Sequence, residues 1–217
     1  TFNTSTQSFD PPTVLQTGAE GERWVVLSSG DALSYPDSAI TSPTGDLEII
    51  VRVALNDWTP DDEQVLVAKF GQHGKRQFRF YVDPANDSRP SFQWSANGTT
   101  LITANCPAGQ GWSTPADGSA LWLRVTLDVN NGASGNTVTY YTATIYGAWT
   151  QVGQVITAGT TSLFDSTTAL QVGVRGGVGA ESATMSGKVG HVEIRNGLAG
   201  ELVAPVLPEL WQQTLAS

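Results

Sequence analysis

Two stretches, LEIIVRVAL at 47–55 and LWLRVTLDV at 121–129, alternate between apolar and other side chains over nine residues each. In the first, Leu47, Ile49, Val51, Val53 and Leu55 share one face. Glu48, Arg52 and Ala54 lie on the other, with Ile50 the exception. In the second, Leu121, Leu123, Val125, Leu127 and Val129 point one way and Trp122, Arg124, Thr126 and Asp128 the other. A period of two marks a strand buried on one face, and helices cannot satisfy it. Strands of this length and patterning belong to antiparallel sheets that close over a core on one side.

Further strand signals fall at 23–27, 64–70, 77–82, 91–95, 99–103, 137–145, 150–155, 170–174 and 188–195, each rich in β-branched or aromatic residues. Between them, Asn97-Gly98, Asp117-Gly118, Asn131-Gly132, Gly135-Asn136, Gly176-Gly177 and Asn196-Gly197 supply residues that tolerate positive φ, so hairpins are expected there. Helical periodicity is confined to 208–215, behind Pro208, where Leu207, Leu210, Trp211 and Leu215 fall on one face. The polar stretch before Glu22, broken by Pro11-Pro12, reads as an arm. The expected organisation is an N-terminal arm over 1–22, an all-β sandwich over 23–204, and a C-terminal tail over 205–217.

Charge and cysteine content narrow the partners. A net charge of −9, with no Lys/Arg cluster to offset it, repels a phosphate backbone, so nucleic acid is not expected. Cys106 is the single cysteine and His73 and His191 the two histidines, too few for a disulfide framework or a thiolate metal site. No apolar run approaches the roughly 20 residues of a membrane helix, and TFNTSTQSFD has neither half of a signal peptide, so membrane insertion and Sec export are not expected. With 40% hydrophobic and 14% charged residues, the chain has the apolar content to fold as one unit.

The segment NDWTPDDE gathers acids between two strand signals. Pro60 presets a turn, and Asp57, Asp61 and Asp62 fall where carboxylates bond nearby backbone N–H groups. A solvated turn is the first reading, and a calcium site held by these three aspartates is the alternative. A retaining glycosidase needs two carboxyls about 5–5.5 Å apart on one face, which this cluster does not offer. Neither histidine neighbours a nucleophile elbow, and the glycine-rich runs do not join a strand to a helix. Seven tryptophans remain to be placed. Trp58, Trp112 and Trp149 sit in or beside turns, where an indole either caps the end of a sandwich or offers a platform to a sugar ring. Trp122 lies on the face opposite Leu121 and Leu123. Leu210, Trp211 and Leu215 form an apolar set that docks either on its own domain or on a neighbour.

The series ALSYPDSAITSPTGDLEIIVRVALNDWTPDDEQVLVAKF, FQWSANGTT, LWLRVTLDVNNGASGNTVTYY, WTQVG and GHVEIRNGLAGELVA spans about residues 31 to 204. It resembles the laminin-G-like, concanavalin A-like jelly-roll domains of minor tail proteins from phages that infect actinobacteria. The resemblance implies two antiparallel sheets face to face, a location on the virion surface, and a partner that is host envelope carbohydrate, other virion proteins, or both. Glycoside hydrolases of this fold carry a Glu-x-Asp-x-x-Glu strand motif that is missing here, so the resemblance implies no catalysis. The expected function is a noncatalytic, tail-associated glycan binder, oligomeric within an assembly. The alternative is a structural subunit decorating capsid or tail, and a secreted polysaccharide hydrolase is the least favoured.

Overall fold

A computed structural model describes residues 15–17, 23–28, 30–176 and 183–205. The described strands are, in chain order, β1 (Leu15–Thr17), β2 (Arg23–Leu27), β3 (Leu33–Tyr35), β4 (Leu47–Leu55), β5 (Gln64–Phe70), β6 (Arg76–Asp83), β7 (Arg89–Trp94) and β8 (Ile102–Asn105). They continue with β9 (Leu121–Asp128), β10 (Gly135–Ala143), β11 (Thr150–Ala158), β12 (Leu170–Val172), β13 (Val174–Arg175), β14 (Ala183–Thr184), β15 (Gly187–Asn196) and β16 (Glu201–Pro205). Two short 3-10 turns, at Ala39–Thr41 and Pro84–Asn86, are the helical elements among the described residues. The chain is thus the all-β, two-sheet antiparallel sandwich that the alternation predicts.

The larger sheet runs β1-β2-β15-β4-β9-β10-β11, with β16 also pairing β15, and the smaller runs β3-β12-β5-β6-β7-β8. The apolar faces of β4 and β9 look inward, and Leu47, Ile49, Val51, Val53, Leu55, Leu123, Val125 and Leu127 are buried there. Opposite them stand Val67, Phe78, Phe80, Val82, Phe92, Trp94, Leu170 and Val172 of the smaller sheet, within one continuous cluster. Each such side chain contributes about 1.5–3 kcal/mol by leaving water, so this layer holds the sheets together.

Topology decides which distant residues meet. β15 pairs β4 along its whole length although most of the chain separates them, setting Arg195 beside Glu48 and His191 beside Arg52. A bulge between Val189 and His191 inserts Gly190, and this extra residue turns His191 to the outer face while Val192 still faces the core. A Cβ at Gly190 would lie 3.0 Å from two carbons of the Trp24 indole, so glycine is what lets Trp24 lie against the sheet there.

The outer face of the smaller sheet is largely covered by its own chain. Val65, Ala68, Phe70 and Tyr81 form a second apolar cluster with Ala183 of β14. Arg79 is buried among Tyr81, Gln93 and Glu63, its guanidinium 4.1 Å from the Tyr81 ring centre and 2.8 Å from Gln93. Burial pushes the Tyr81 hydroxyl up to about 12. At the rim, the fully buried Lys69 donates to Asp37 and to the Thr168 carbonyl, both at 2.6 Å.

Several boundaries differ from expectation, each for a local reason. The strand expected at 99–103 begins at Ile102, because Asn97 Oδ1 accepts from the N–H groups of Thr99 and Thr100 and holds them in a turn. The turn expected at Gly135-Asn136 lies earlier, since Asn131 Oδ1 accepts from Ala133 and Gly135 and lets β10 start at Gly135. The arm over 1–22 contributes β1, which pairs β2. The helical segment at 208–215, with Leu210, Trp211 and Leu215, lies outside the described residues.

Candidate functional site

The outer face of the larger sheet carries a run of aromatic and charged side chains that the polar half of the β4 and β9 alternation places there. Arg52 of β4 lies between two indoles, its Cζ 4.9 Å from the Trp24 ring centre and 5.5 Å from that of Trp122. Trp122 meets the edge of Tyr146 at 4.9 Å and His191 at 5.2 Å. Tyr146 meets Trp149 at 6.0 Å, and Arg124 reaches over both Trp149, at 5.8 Å, and Tyr141, at 4.6 Å. Trp122 and Trp149 are half-buried, and Tyr146, in the loop between β10 and β11, is 45% exposed. Rings that are partly packed and partly wet keep a fixed orientation while leaving surface for a ligand.

A polar network lies among these rings. His191 Nε2 is 2.7 Å from Glu193 Oε1, the Tyr146 hydroxyl donates to both oxygens of that carboxylate at 3.2 Å, and Arg195 donates to Oε2 at 2.8 Å. Glu48 accepts from Arg124 at 3.0 Å and from the Ala199 backbone at 2.9 Å, with Arg195 3.8 Å away. The hydrogen bond from His191, helped by Arg195, holds the Glu193 carboxyl down at about 2 against the opposing effect of burial. Burial, and then the Glu193 charge, raise the Tyr146 hydroxyl above its ordinary value.

That electrostatic setting decides what the two carboxylates can do. A glycosidase acid must hold its proton near neutrality, so its pKa is raised by apolar or anionic surroundings. Glu193 is shifted the opposite way and Glu48 is paired with arginine. The two carboxylates orient the arginines and Tyr146.

Of the residues singled out from sequence, Trp149 joins this cluster. Trp58 requires a correction: its indole is fully enclosed in the core, Nε1 donating to the Ser119 carbonyl at 3.2 Å, so it presents no face to a sugar. The turn location suggested a rim platform, but Pro60 and Asp117 fold the segment inward, with the Trp58 N–H donating to Asp117 Oδ1 at 2.8 Å. Trp112 is half-buried, 6.4 Å from Trp58, and its Nε1 is buried without a hydrogen-bond partner. Asp57, Asp61 and Asp62 are exposed, and Asp57 Oδ1 accepts from the Thr59 N–H at 2.7 Å and from its hydroxyl at 3.1 Å. Among the described residues no group of three His, Cys, Asp or Glu side chains is placed to hold a metal ion. His73 is exposed, and burial pushes the Cys106 thiol up to about 11. Sequence reading missed Tyr146, Glu193 and the arginines as a group; the signal available was the polar face of β4 and β9, which holds Arg52, Trp122 and Arg124.

No protein-family model and no curated protein matches the sequence. Solved structures do. The CBM40 module of the Ruminococcus gnavus IT-sialidase, bound to α2,3-sialyllactose, superposes with a TM-score of 0.58 at 10% identity, covering 82% of this chain and 91% of the module. The fold is therefore that of a jelly-roll β-sandwich. The same module bound to α2,6-sialyllactose gives 0.55 at 13% identity, over 84% of this chain and 96% of the module. Domain 4 of an extracellular GH43 arabinanase from Geobacillus stearothermophilus, in complex with arabinotriose, gives 0.56 at 13% identity, over 88% of this chain and 76% of that one. At these identities the likeness shows the shared sandwich and leaves the site to its own chemistry.

Proposed function

We propose that this chain is a noncatalytic carbohydrate-binding module that takes saccharide on the outer face of its larger sheet, across Trp122, Tyr146 and Trp149. The observation that carries the reading is the set of three partly exposed rings held edge to face within one continuous cluster. Sugar rings present flat C–H faces that stack on aromatics and hydroxyls that bond to fixed polar groups, and this face offers both. The neighbours of like fold that were solved with sialyllactose and arabinotriose support a binding role over a catalytic one. The sequence resemblance to phage tail domains supports a place on the virion surface, with host envelope glycan as partner.

The test is binding of the intact chain to a glycan array, followed by titration calorimetry on the best ligand. Trp122→Ala and Trp149→Ala should each weaken binding at least about tenfold, the scale of one lost stacking contact, with circular dichroism unchanged. An array without signal, or binding that survives both substitutions, removes the proposal. Mass spectrometry of purified particles tests the virion location separately.

A further inference from the structure

We infer that β11 is a docking edge for a second copy of this chain, the two β11 strands pairing antiparallel about a two-fold axis at Thr157 and joining the larger sheets into one.

The larger sheet ends in β11, which has nine residues, whereas the edge strands β1, β3 and β8 have three, three and four. A long free edge offers a row of backbone donors and acceptors, and proteins blunt such edges with charged side chains, proline or a bulge. β16, beside β15, carries Glu201 and Pro205. The first half of β11 is closed by the chain itself. Cys106 Sγ donates to the Val152 carbonyl at 3.5 Å, Gln110 Oε1 accepts from the Gln154 N–H at 2.9 Å, and the bulge in the pairing with β10 lies at this end.

Beyond Gln154 these devices stop. The Gln154 N–H points away from β10, so by the period of two the N–H and carbonyl of Ile156 and of Ala158 point away as well. Among the described residues nothing bonds to them. Ile156 is 68% exposed, and Thr157 and Ala158 are exposed beside it.

The chemistry of this stretch selects the partner. From Val129 to Phe164 the sequence holds no Asp, Glu, Lys or Arg, although the chain carries a net charge of −9. Two copies repel wherever acidic surfaces meet, and the β10–β11 hairpin is where they approach at least cost. The edge is also its own complement. With the axis at Thr157, Ile156 faces Ala158 of the partner subunit, and Ala158 faces Ile156 of the partner subunit. Each pair exchanges two backbone hydrogen bonds, and the Gln110 cap on Gln154 stays in place. The two Ile156 side chains then lie on one diagonal of the outer face, within contact range. So small a contact falls short of the roughly 1,200–2,000 Å² of a stable interface, so association is expected at micromolar concentrations or above. The axis is normal to the sheet and turns both outer faces the same way, which sets the two aromatic clusters on one continuous surface.

Sedimentation velocity of the intact chain, without ligand, tests this between about 1 and 500 µM. A monomer giving way to a species of twice its mass, and to nothing larger, is expected. Salt raised from about 0.05 to 0.5 M should tighten the dimer, because screening weakens the repulsion between two net negative chains; a contact between opposite charges would loosen instead. Amide exchange followed by NMR locates the contact. Protection of the Ile156 and Ala158 N–H groups should rise at least about threefold at the high concentration, while that of Val155 and Thr157, which face β10, stays the same. Ile156→Lys places like charges on the diagonal at an exposed position, and Ala158→Pro removes an outward donor; each should remain monomeric throughout with circular dichroism unchanged. If one variant does not fold, the other decides. A native chain that stays monomeric, a dimer that persists in the folded variants, or association without the alternating protection overturns the inference. Saccharide binding is measured apart from this and survives any of these outcomes.

Discussion

His191 and Glu193 lie two residues apart on β15 and share its outer face, Nε2 to Oε1 at 2.7 Å, because the Gly190 bulge resets the alternation just before them. The contact holds the Glu193 carboxyl at about 2, below its ordinary 4.5. A carboxylate depressed in the folded state adds stability above its unfolded value, and that contribution is lost as the pH falls through the folded one. The stabilisation should be fully present above about pH 4.5 and disappear on going down to about pH 2, on the order of 2 kcal/mol in all. Melting temperatures of the native chain and of Glu193→Gln should differ most above pH 5 and converge near pH 2. Parallel curves across that window would show that the pair is not coupled to folding.

Gly190 has a role that its neighbours define. An added methyl would meet the Trp24 indole at 3.0 Å, and because Trp24 backs Arg52, the displacement should spread along the cluster. Gly190→Ala should cost about 1–3 kcal/mol, as overpacking does, and shift the tryptophan emission. Saccharide binding should weaken in the same variant. An unchanged melting temperature together with unchanged emission would mean that the indole moves aside freely.

The sandwich was readable because β4 and β9 are long, alternate cleanly and carry their apolar sets on the buried side. β1, β3 and β14 have three residues or fewer, and a period of two cannot be seen over so short a run. The site was half readable for a related reason. Arg52, Trp122 and Arg124 could be assigned to one face from their own strands. Glu193 and Arg195 join Glu48 only through the pairing of β15 with β4, and nothing local in sequence encodes that pairing. Trp58 was misjudged because turn position reports backbone geometry, whereas burial depends on where the turn folds back.

Trp58 and Trp149 therefore separate stability from binding. Trp58→Ala empties a core position and removes the bond to the Ser119 carbonyl, and should destabilise the chain by about 3–5 kcal/mol. Trp149→Ala, at a half-buried position, should cost about 1 kcal/mol and act on ligand affinity. Urea unfolding and calorimetry on both variants check this. A stable Trp58→Ala that has lost saccharide binding would return that residue to the site.

The acidic turn gives a prediction about metal. Asp57 already satisfies its carboxylate with Thr59, while Asp61 and Asp62 stand exposed beyond Pro60. Calcium requires six to eight oxygens, and three aspartates with one committed elsewhere fall short unless backbone carbonyls and water complete the shell. The melting temperature should be the same in EDTA and in 5 mM calcium, to within about 1 °C, since a ligand bound at a hundred times its Kd would add about 2.7 kcal/mol. A calcium-dependent rise of several degrees, abolished by Asp61→Asn with Asp62→Asn, would establish the site instead.

Lys69 makes the last test, one of packing at the rim. Its ammonium is fully buried and is satisfied by Asp37 and the Thr168 carbonyl, which ties the segment after β3 and the segment before β12 to the smaller sheet. The hydrogen bond from Lys69 holds the Asp37 carboxyl below its ordinary value. Removing the carboxylate leaves a buried cation with one acceptor, whereas removing the lysine leaves a carboxylate that water can reach. Asp37→Ala should therefore destabilise the chain more than Lys69→Met, which conserves the volume of the stem. Urea midpoints in the opposite order would mean that the stem's packing, and not the charge, holds the rim in place.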